Sequence, residues 1–352
     1  MEKHSFNATL QLLSLPPDHS LHPHIHRASF PIKQFKSLLH NLLQFQGLKA
    51  RKIEIIHPTR LHPSWTTPFN TLIHQDEEAA IAYSKVNTAS VQIYTDGSSI
   101  DGGVGAVAVL YINNTIRQSL QHYLGWEEHH TVYEAELVGL ILAATLLQQL
   151  DSLEDVTIAI DNQAASTATT NHRSAPGQQL TDVFLTQMTE IARQHQGVPI
   201  KIHCIPSHKI ILGNKEADRL AKQAAKQQGV ISPITPHILH SPLPHSKTAC
   251  KTNFSKRIKE AACIDFQKST RFNRIHAIDP KAPSHNYRKL AEGLTQCHSG
   301  ILMQLRTSRS GHSIPRYSDT QILKLSKSLS QHPKRLALTL LSSFGILWLQ
   351  AL

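Results

Sequence analysis

The sequence predicts an α/β fold: a five-stranded mixed sheet in which an antiparallel meander continues into parallel strands, with helices packed on it. Three observations predict it. Between Ser90 and Tyr123, three runs of strand-forming residues are separated by two tight turns, Asp101-Gly102-Gly103 and Asn113-Asn114, as hairpin-linked neighbours require. Val156-Thr157-Ile158-Ala159-Ile160 is short and almost wholly apolar, the composition of a strand covered on both faces. Between them, Thr131-Val132-Tyr133-Glu134 has the form of a capping box ahead of a long apolar helix.

Taken in order, Val91-Gln92-Ile93-Tyr94-Thr95 is the first strand, and it ends abruptly in Asp96-Gly97-Ser98-Ser99. Val104–Tyr111 and Thr115–Tyr123 complete the meander. The helix opened by Thr131 is expected to bury Leu137, Leu140, Ile141, Ala144 and Leu147, with Glu136 at the edge of that face. The apolar strand ends in Asp161-Asn162-Gln163 and leads into a small-residue helix, which Pro176-Gly177 terminates. A helix from about 179 to 195, a strand at Ile200–Ile205 and a last helix containing Asp218 complete the order β-β-β-α-β-α-α-β-α. The domain boundaries expected are 1–87 for a partly irregular N-terminal flank, 88–228 for the packed domain and 229–352 for a partly helical or disordered basic flank. Within the first flank, helices are expected near Phe35–Leu48 and Asp76–Ser84.

Four cysteines lie far apart without a C-x-x-C pair, which argues against a disulfide framework or a zinc site and for a reducing compartment. Met1–His19 lacks a basic segment followed by an apolar run, so an intracellular location, nuclear or cytoplasmic, is expected. The formal net charge of +11 is unevenly spread. Residues 88–228 carry 9 Lys and Arg against 14 Asp and Glu, whereas residues 229–352 carry 18 against 5. An acidic middle with a basic flank points to a polyanionic partner held mainly by the flank.

The chemistry is expected where carboxylates end elements. Asp96 and Asp161 each close a strand, and Glu136 and Asp218 each lie near a helix start. On adjacent central strands the two aspartates would stand side by side, a repulsive arrangement unless divalent cations neutralise it. An all-carboxylate donor set suits Mg²⁺ or Mn²⁺ rather than zinc. Two such ions about 3.5–4 Å apart would clamp an in-line phosphoryl displacement.

Tyr94-Thr95-Asp96-Gly97-Ser98, Thr131 with Ala135-Glu136-Leu137, Asp161-Asn162-Gln163-Ala164-Ala165, and Pro206-Ser207-His208 followed by Gly213-Asn214-Lys215-Glu216-Ala217-Asp218-Arg219-Leu220-Ala221 resemble the type 1 ribonuclease H family. In order and wording they are most similar to the ribonuclease H domains of fungal non-LTR retrotransposon reverse transcriptases. The resemblance implies a ribonuclease H-like fold over about 88–228 and an Asp96, Glu136, Asp161 and Asp218 site for two Mg²⁺ ions, with Mn²⁺ able to substitute. It implies hydrolysis of the RNA strand of RNA–DNA hybrids to 3′-hydroxyl and 5′-phosphate ends, with no small-molecule cofactor. His208 matches the histidine of the family's mobile loop. Gly97 and Ser98 would offer backbone groups to 2′-hydroxyls, Thr131 would hold a DNA-strand phosphate, and Asn162 and Gln163 would reach a minor groove.

The chain also departs from that family. Thr170–Gln179, where some members carry a basic helical protrusion, holds only Arg173 and His172 as basic residues, so weak binding by the domain alone is expected. Lys209-Ile210-Ile211-Leu212 replaces the usual glycine- and proline-containing wording after the histidine. Gln304-Leu305-Arg306-Thr307 and Ile314-Pro315-Arg316-Tyr317 resemble sequence downstream of the domain in those elements, without the Cys/His knuckle. No polymerase signature precedes residue 88, and a truncated element copy is the expectation. The uncharged run Leu336–Leu352 is at the short limit for a bilayer span, and its Ser342, Ser343, Gly345 and Gln350 argue against a tail anchor. Two other classes compete with the enzyme. One is a catalytically silent nucleic-acid-binding relic. The other is a strand-transfer enzyme, which would need a catalytic glutamate in the last helix where Asp218 stands.

Overall fold

A computed structural model describes residues 2–32, 35–58, 62, 64–171, 173–206, 211–227 and 232–278, with isolated positions 292, 296 and 299. Two units are present, Met1–Ser255 and Lys256–Leu352. The first contains α1 (Glu2–Leu13), α2 (His22–Ala28), α3 (Leu38–Gln46), β1 (Asn70–Ile73), α4 (Glu77–Val86), β2 (Val91–Ile100), β3 (Gly103–Ile112), β4 (Thr115–Trp126), α5 (Val132–Leu147), β5 (Val156–Ile160), α6 (Gln163–Ala168), α7 (Gln178–Gln194), β6 (Ile200–Cys204) and α8 (Leu212–Ala225). The helix α9 (Lys247–Gln267) begins in this unit, and α10 (Phe272–Ile278) belongs to the second.

The sheet is α/β and mixed, but it has six strands rather than five, in the order β1-β6-β5-β2-β3-β4. The added strand is the four-residue β1, parallel to β6 from Asn70↔Lys201 to Ile73↔Cys204. Four residues without clear alternation do not announce a strand. It forms because β6 otherwise exposes an unpaired edge. The meander follows its turn chemistry closely. Asp101 and Gly102 have φ of 53° and 81°, and Asn113 and Asn114 have 50° and 61°. Positive φ at both central residues is the mirror-image turn whose twist matches two antiparallel strands.

The helix α5 is buried along nearly its whole length, from Glu134 to Leu147. Its predicted face packs on the sheet, while Val138, Leu142 and Leu146 are covered as well, because α7 lies against its other side. An all-round apolar helix is what a middle layer requires. On the opposite face of the sheet, α8 buries Ala217, Leu220 and Ala221 against Val107 and Val109. The N-terminal region contributes a second apolar cluster, in which Phe6, Leu10, Leu13, Leu43 and Ile53 surround Cys250. In that cluster Phe6 stacks on Phe254 with ring centroids 3.8 Å apart.

Candidate metal and catalytic site

The strand register brings the two aspartates together. Thr95 pairs with Ile160 as the last parallel couple of β2 and β5, so Asp96 and Asp161 are the next residues on adjacent strands, at the same end of the sheet. Alternation along the strand gives Asp96 the parity of Tyr94, toward the α8 side. Glu136 arrives from the opposite face on the first turns of α5, whose start is fixed by the capping box. The Thr131 hydroxyl accepts the Glu134 amide at 3.2 Å, and the Thr131 N–H donates to Glu134 Oε2 at 2.7 Å.

Close approach of α5 to the strand end depends on Gly97. A Cβ placed there would lie 2.8 Å from Ala135 Cβ and 2.8 Å from the Glu136 amide nitrogen, distances no side chain tolerates. Gly213 plays a similar part for α8, because a Cβ on it would enter the Tyr94 ring. These two contacts let both helices converge on the end of β2.

The result is a cluster in which Asp96, Glu136 and Asp161 each offer an oxygen, all within 4.8 Å of one another. Asp96 and Glu136 are buried, at 6% and 3% exposure. Burial, then the Asp161 and Asp218 charges, push the Asp96 carboxyl up to about 8, against smaller lowering by the Gly97 amide and Lys222. Burial and the charges of Asp161 and Asp96 likewise hold Glu136 well above the usual carboxylate range. The Oε2 atom of Glu136 is buried without a hydrogen-bond partner among the described residues. Hard oxygen donors, mutually repelling and with an unpaired acceptor aimed among them, fit a divalent cation. Asp96, Glu136 and Asp161 are the residues that would hold it.

The other expected residues are placed less uniformly. Asp218 lies on α8 near enough to raise Asp96, but outside the trio. Its Oδ2 is 2.6 Å from Lys222 Nζ, and both side chains are nearly half exposed. Gly97 and Ser98 continue β2 past Asp96, half-buried. Thr131 spends its hydroxyl on the cap, also donating to Glu134 Oε2 at 3.0 Å. Asn162 caps α6, its Oδ1 accepting the Ala165 N–H at 3.0 Å. Gln163, the first residue of α6, is exposed and lines a groove of about 560 Å³ with Tyr133, Thr167, Asn171, Arg173 and Thr248. His208 and the Lys209–Ile210 departure lie outside the described residues, as do Gln304–Thr307, Ile314–Tyr317 and Leu336–Leu352.

Two neighbours of the site escaped the sequence reading. Lys222 stands four residues after Asp218 on one helix face, a spacing that signals an ion pair. Cys204 ends β6 opposite Ile160. Burial, followed by Asp161 and Glu136, raises its thiol. The signal available for it was its strand-end position, shared with the aspartates.

The class of molecule is therefore an α/β protein with a three-carboxylate cluster able to hold a cation at the end of its two central strands. A family model described as RNase H matches residues 88–226, the stretch that contains Asp96, Glu136 and Asp161. Among solved structures, the chain is similar to RNase H1 from the archaeon Halobacterium salinarum (20% identity, 39% of this chain and 98% of that one, TM-score 0.30). It is also similar to the N-terminal RNase H domain of a Mycobacterium tuberculosis protein, solved as a maltose-binding-protein fusion (22%, 40% and 96%, TM-score 0.32). A third is LC11-RNase H1, from a compost metagenome, in complex with an RNA/DNA hybrid (20%, 39% and 97%, TM-score 0.31). No curated protein matches the chain. Among the described residues, no helix is long and apolar enough to cross a membrane.

Proposed function

We propose that the chain is a divalent-metal-dependent endonuclease that hydrolyses the RNA strand of RNA–DNA hybrids, with Mg²⁺ as its natural ion. The observation that carries this reading is the convergence of Asp96, Glu136 and Asp161 oxygens within 4.8 Å inside the domain that matches RNase H. A resemblance alone would place these residues in a motif, whereas the structure brings them to one point.

In this reading Asp96, Asp161 on the next strand and Glu136 on α5 would together hold the metal. Burial of Asp96 and Glu136 keeps their oxygens from competing water and aims them inward. When bound, two Mg²⁺ ions supply an activated water and charge stabilisation at the leaving 3′ oxygen. Asp218 completes the site by leaving its Lys222 partner to face the incoming phosphate, an exchange that its half-exposed position allows. His208 carries protons or aids product departure, a role suited to an imidazole titrating near neutrality. In the same reading the Gly97–Ser98 backbone, Thr131, Asn162 and Gln163 contact the hybrid. The wording of the four motifs and of Gln304–Thr307 supports descent from a fungal non-LTR retroelement.

The test is cleavage of an end-labelled hybrid with Mg²⁺, beside matched RNA–RNA and DNA–DNA duplexes and the Asp96→Asn variant. Cutting confined to the hybrid's RNA strand and abolished by Asp96→Asn is the expected result. A hybrid that is bound yet stays intact with both Mg²⁺ and Mn²⁺ would overturn the reading.

A further inference from the structure

The segments before and after the RNase H domain meet beside the start of α5, and they meet through paired backbone. Ile53 and His245 form a parallel bridge, in which the Glu54 N–H donates to the His245 carbonyl at 3.0 Å and the His245 N–H donates to the Lys52 carbonyl. The Ser246 N–H donates to the His129 carbonyl at 2.7 Å. Beneath them Glu54, buried at 5% exposure, accepts the Gly177 N–H at 2.7 Å and the Lys247 N–H at 2.6 Å. The His129 ring stacks on His245, with centroids 3.8 Å apart and planes 7° from parallel. His129 is two residues before the Thr131 cap, so this junction borders the end of α5 that carries Glu136.

What the junction displays is positive charge. Lys49, Arg51 and Lys52 are exposed, and Lys247 and Lys251 are half-exposed. Burial, then His129 and His130, then Lys52 and Lys49 hold the His245 imidazole down to about 4, and burial, His130 and Lys52 lower His129, so both rings are neutral hydrogen-bonding groups and the charge belongs to the lysines. Burial, then the charge of Lys251, lowers Lys247. The carboxylates facing this group are few. Glu54 and Glu134 are buried and occupied by backbone N–H donors, and the exposed Glu128 acts on His129. The domain proper is the reverse, with 9 Lys and Arg against 14 Asp and Glu over residues 88–228. A polyanionic substrate approaching a net-negative domain needs cations from elsewhere in the chain.

We propose that Lys49, Lys52, Lys247 and Lys251, with His129 and His245, form a phosphate-binding surface that grips the sugar-phosphate backbone of the nucleic acid alongside the catalytic carboxylates. The proposal rests on the hybrid ribonuclease reading for its choice of ligand. The paired backbone holds residues 52–54 and 245–247 at defined positions, so their lysines meet a duplex already arranged rather than as a flexible tail. The positioning is done by main-chain bonds and by Glu54, and among the described residues no hydrogen bond or ion pair occupies the four lysine side chains.

The experiment is binding of a fluorescent RNA–DNA hybrid by the full chain in EDTA across a salt series. The parent is compared with Lys49→Gln/Lys52→Gln and Lys247→Gln/Lys251→Gln, and cleavage with Mg²⁺ is measured in parallel. Each double variant is expected to lower the slope of log affinity against log salt by about 2, which weakens binding roughly 30-fold at 0.15 M salt. Cleavage at saturating hybrid should be unchanged, because no catalytic residue is altered. The four single variants, each expected to lower the slope by about 1, serve if a double variant fails to fold. Active parent with unchanged slopes in the variants overturns the surface and leaves the ribonuclease reading standing. Reduced slopes with a parent that never cleaves support the surface and overturn the ribonuclease reading. A parent that does not bind hybrid overturns both.

Discussion

Replacing Asp96 with asparagine tests the electrostatics of the site apart from its chemistry. Two unit charges 4.8 Å apart, the outer limit for the three oxygens, repel by about 3.5 kcal/mol at an effective dielectric of about 20. Burial first, then the charges of Asp161 and Asp218, push the Asp96 carboxyl up to about 8. A carboxyl raised in the folded state contributes full stability below its unfolded value near 3.8. That contribution is lost as pH rises toward 8, at about 1.4 kcal/mol per pH unit. Without metal at pH 8, Asp96→Asn should therefore stabilise the fold by roughly 3–5 kcal/mol, raising Tm by on the order of 10 °C. Near pH 4 the difference should vanish. Magnesium at about one hundred times its Kd should add about 2.7 kcal/mol to the parent and far less to the variant. Differential scanning fluorimetry in EDTA and in Mg²⁺, at pH 4.5 and pH 8, reads all four values. A variant that melts lower than the parent in EDTA at pH 8, or that gains as much from Mg²⁺, would refute the shared-site reasoning.

Gly97→Ala should destabilise by about 1–3 kcal/mol and weaken metal binding, since the new methyl displaces α5 and Glu136 with it. Chemical denaturation with a Mg²⁺ titration reads both effects. Glu54→Ala strips acceptors from two backbone donors and should cost about 2–5 kcal/mol. Amide exchange at Gly177 and Lys247 should rise first. His203, 1% exposed and facing the rings of His74 and Tyr83, is held down to about 4 by burial and His74. Its lowered value means stability fully present above about pH 6.5 and lost as pH falls toward 4. His203→Leu should flatten that decline by about 2–3 kcal/mol in acid titrations of stability.

How much was legible in the sequence divides along a physical line. Hairpins declared themselves because Asp-Gly and Asn-Asn answer a local demand, positive φ at two successive residues. The strand-end aspartates were legible only together, since a lone Asp-Gly after a strand reads as a turn and it was the further carboxylates at element boundaries that pointed to a site. The sixth strand was illegible because β1 has no pattern of its own and exists only through the edge β6 offers it. The all-round burial of α5 was half legible, for the sequence showed one apolar face but not that α7 would cover the other.

The same line separates Asp218 from the other three carboxylates. Asp96, Glu136 and Asp161 are held by register and by the Gly97 contact, constraints written into strands and a packed helix. Asp218 stands in the second turn of a helix whose preceding loop lies outside the described residues, and Lys222 claims its oxygen. A ligand with such a partner is released only when something more positive arrives, so the trio should bind the first cation and Asp218 should join with the second. Two-step Mg²⁺ binding by calorimetry, reduced to one step in Asp218→Asn with the tighter step unchanged, is the expected result. Loss of both steps together would mean that Asp218 belongs to the same preformed cluster as the other three.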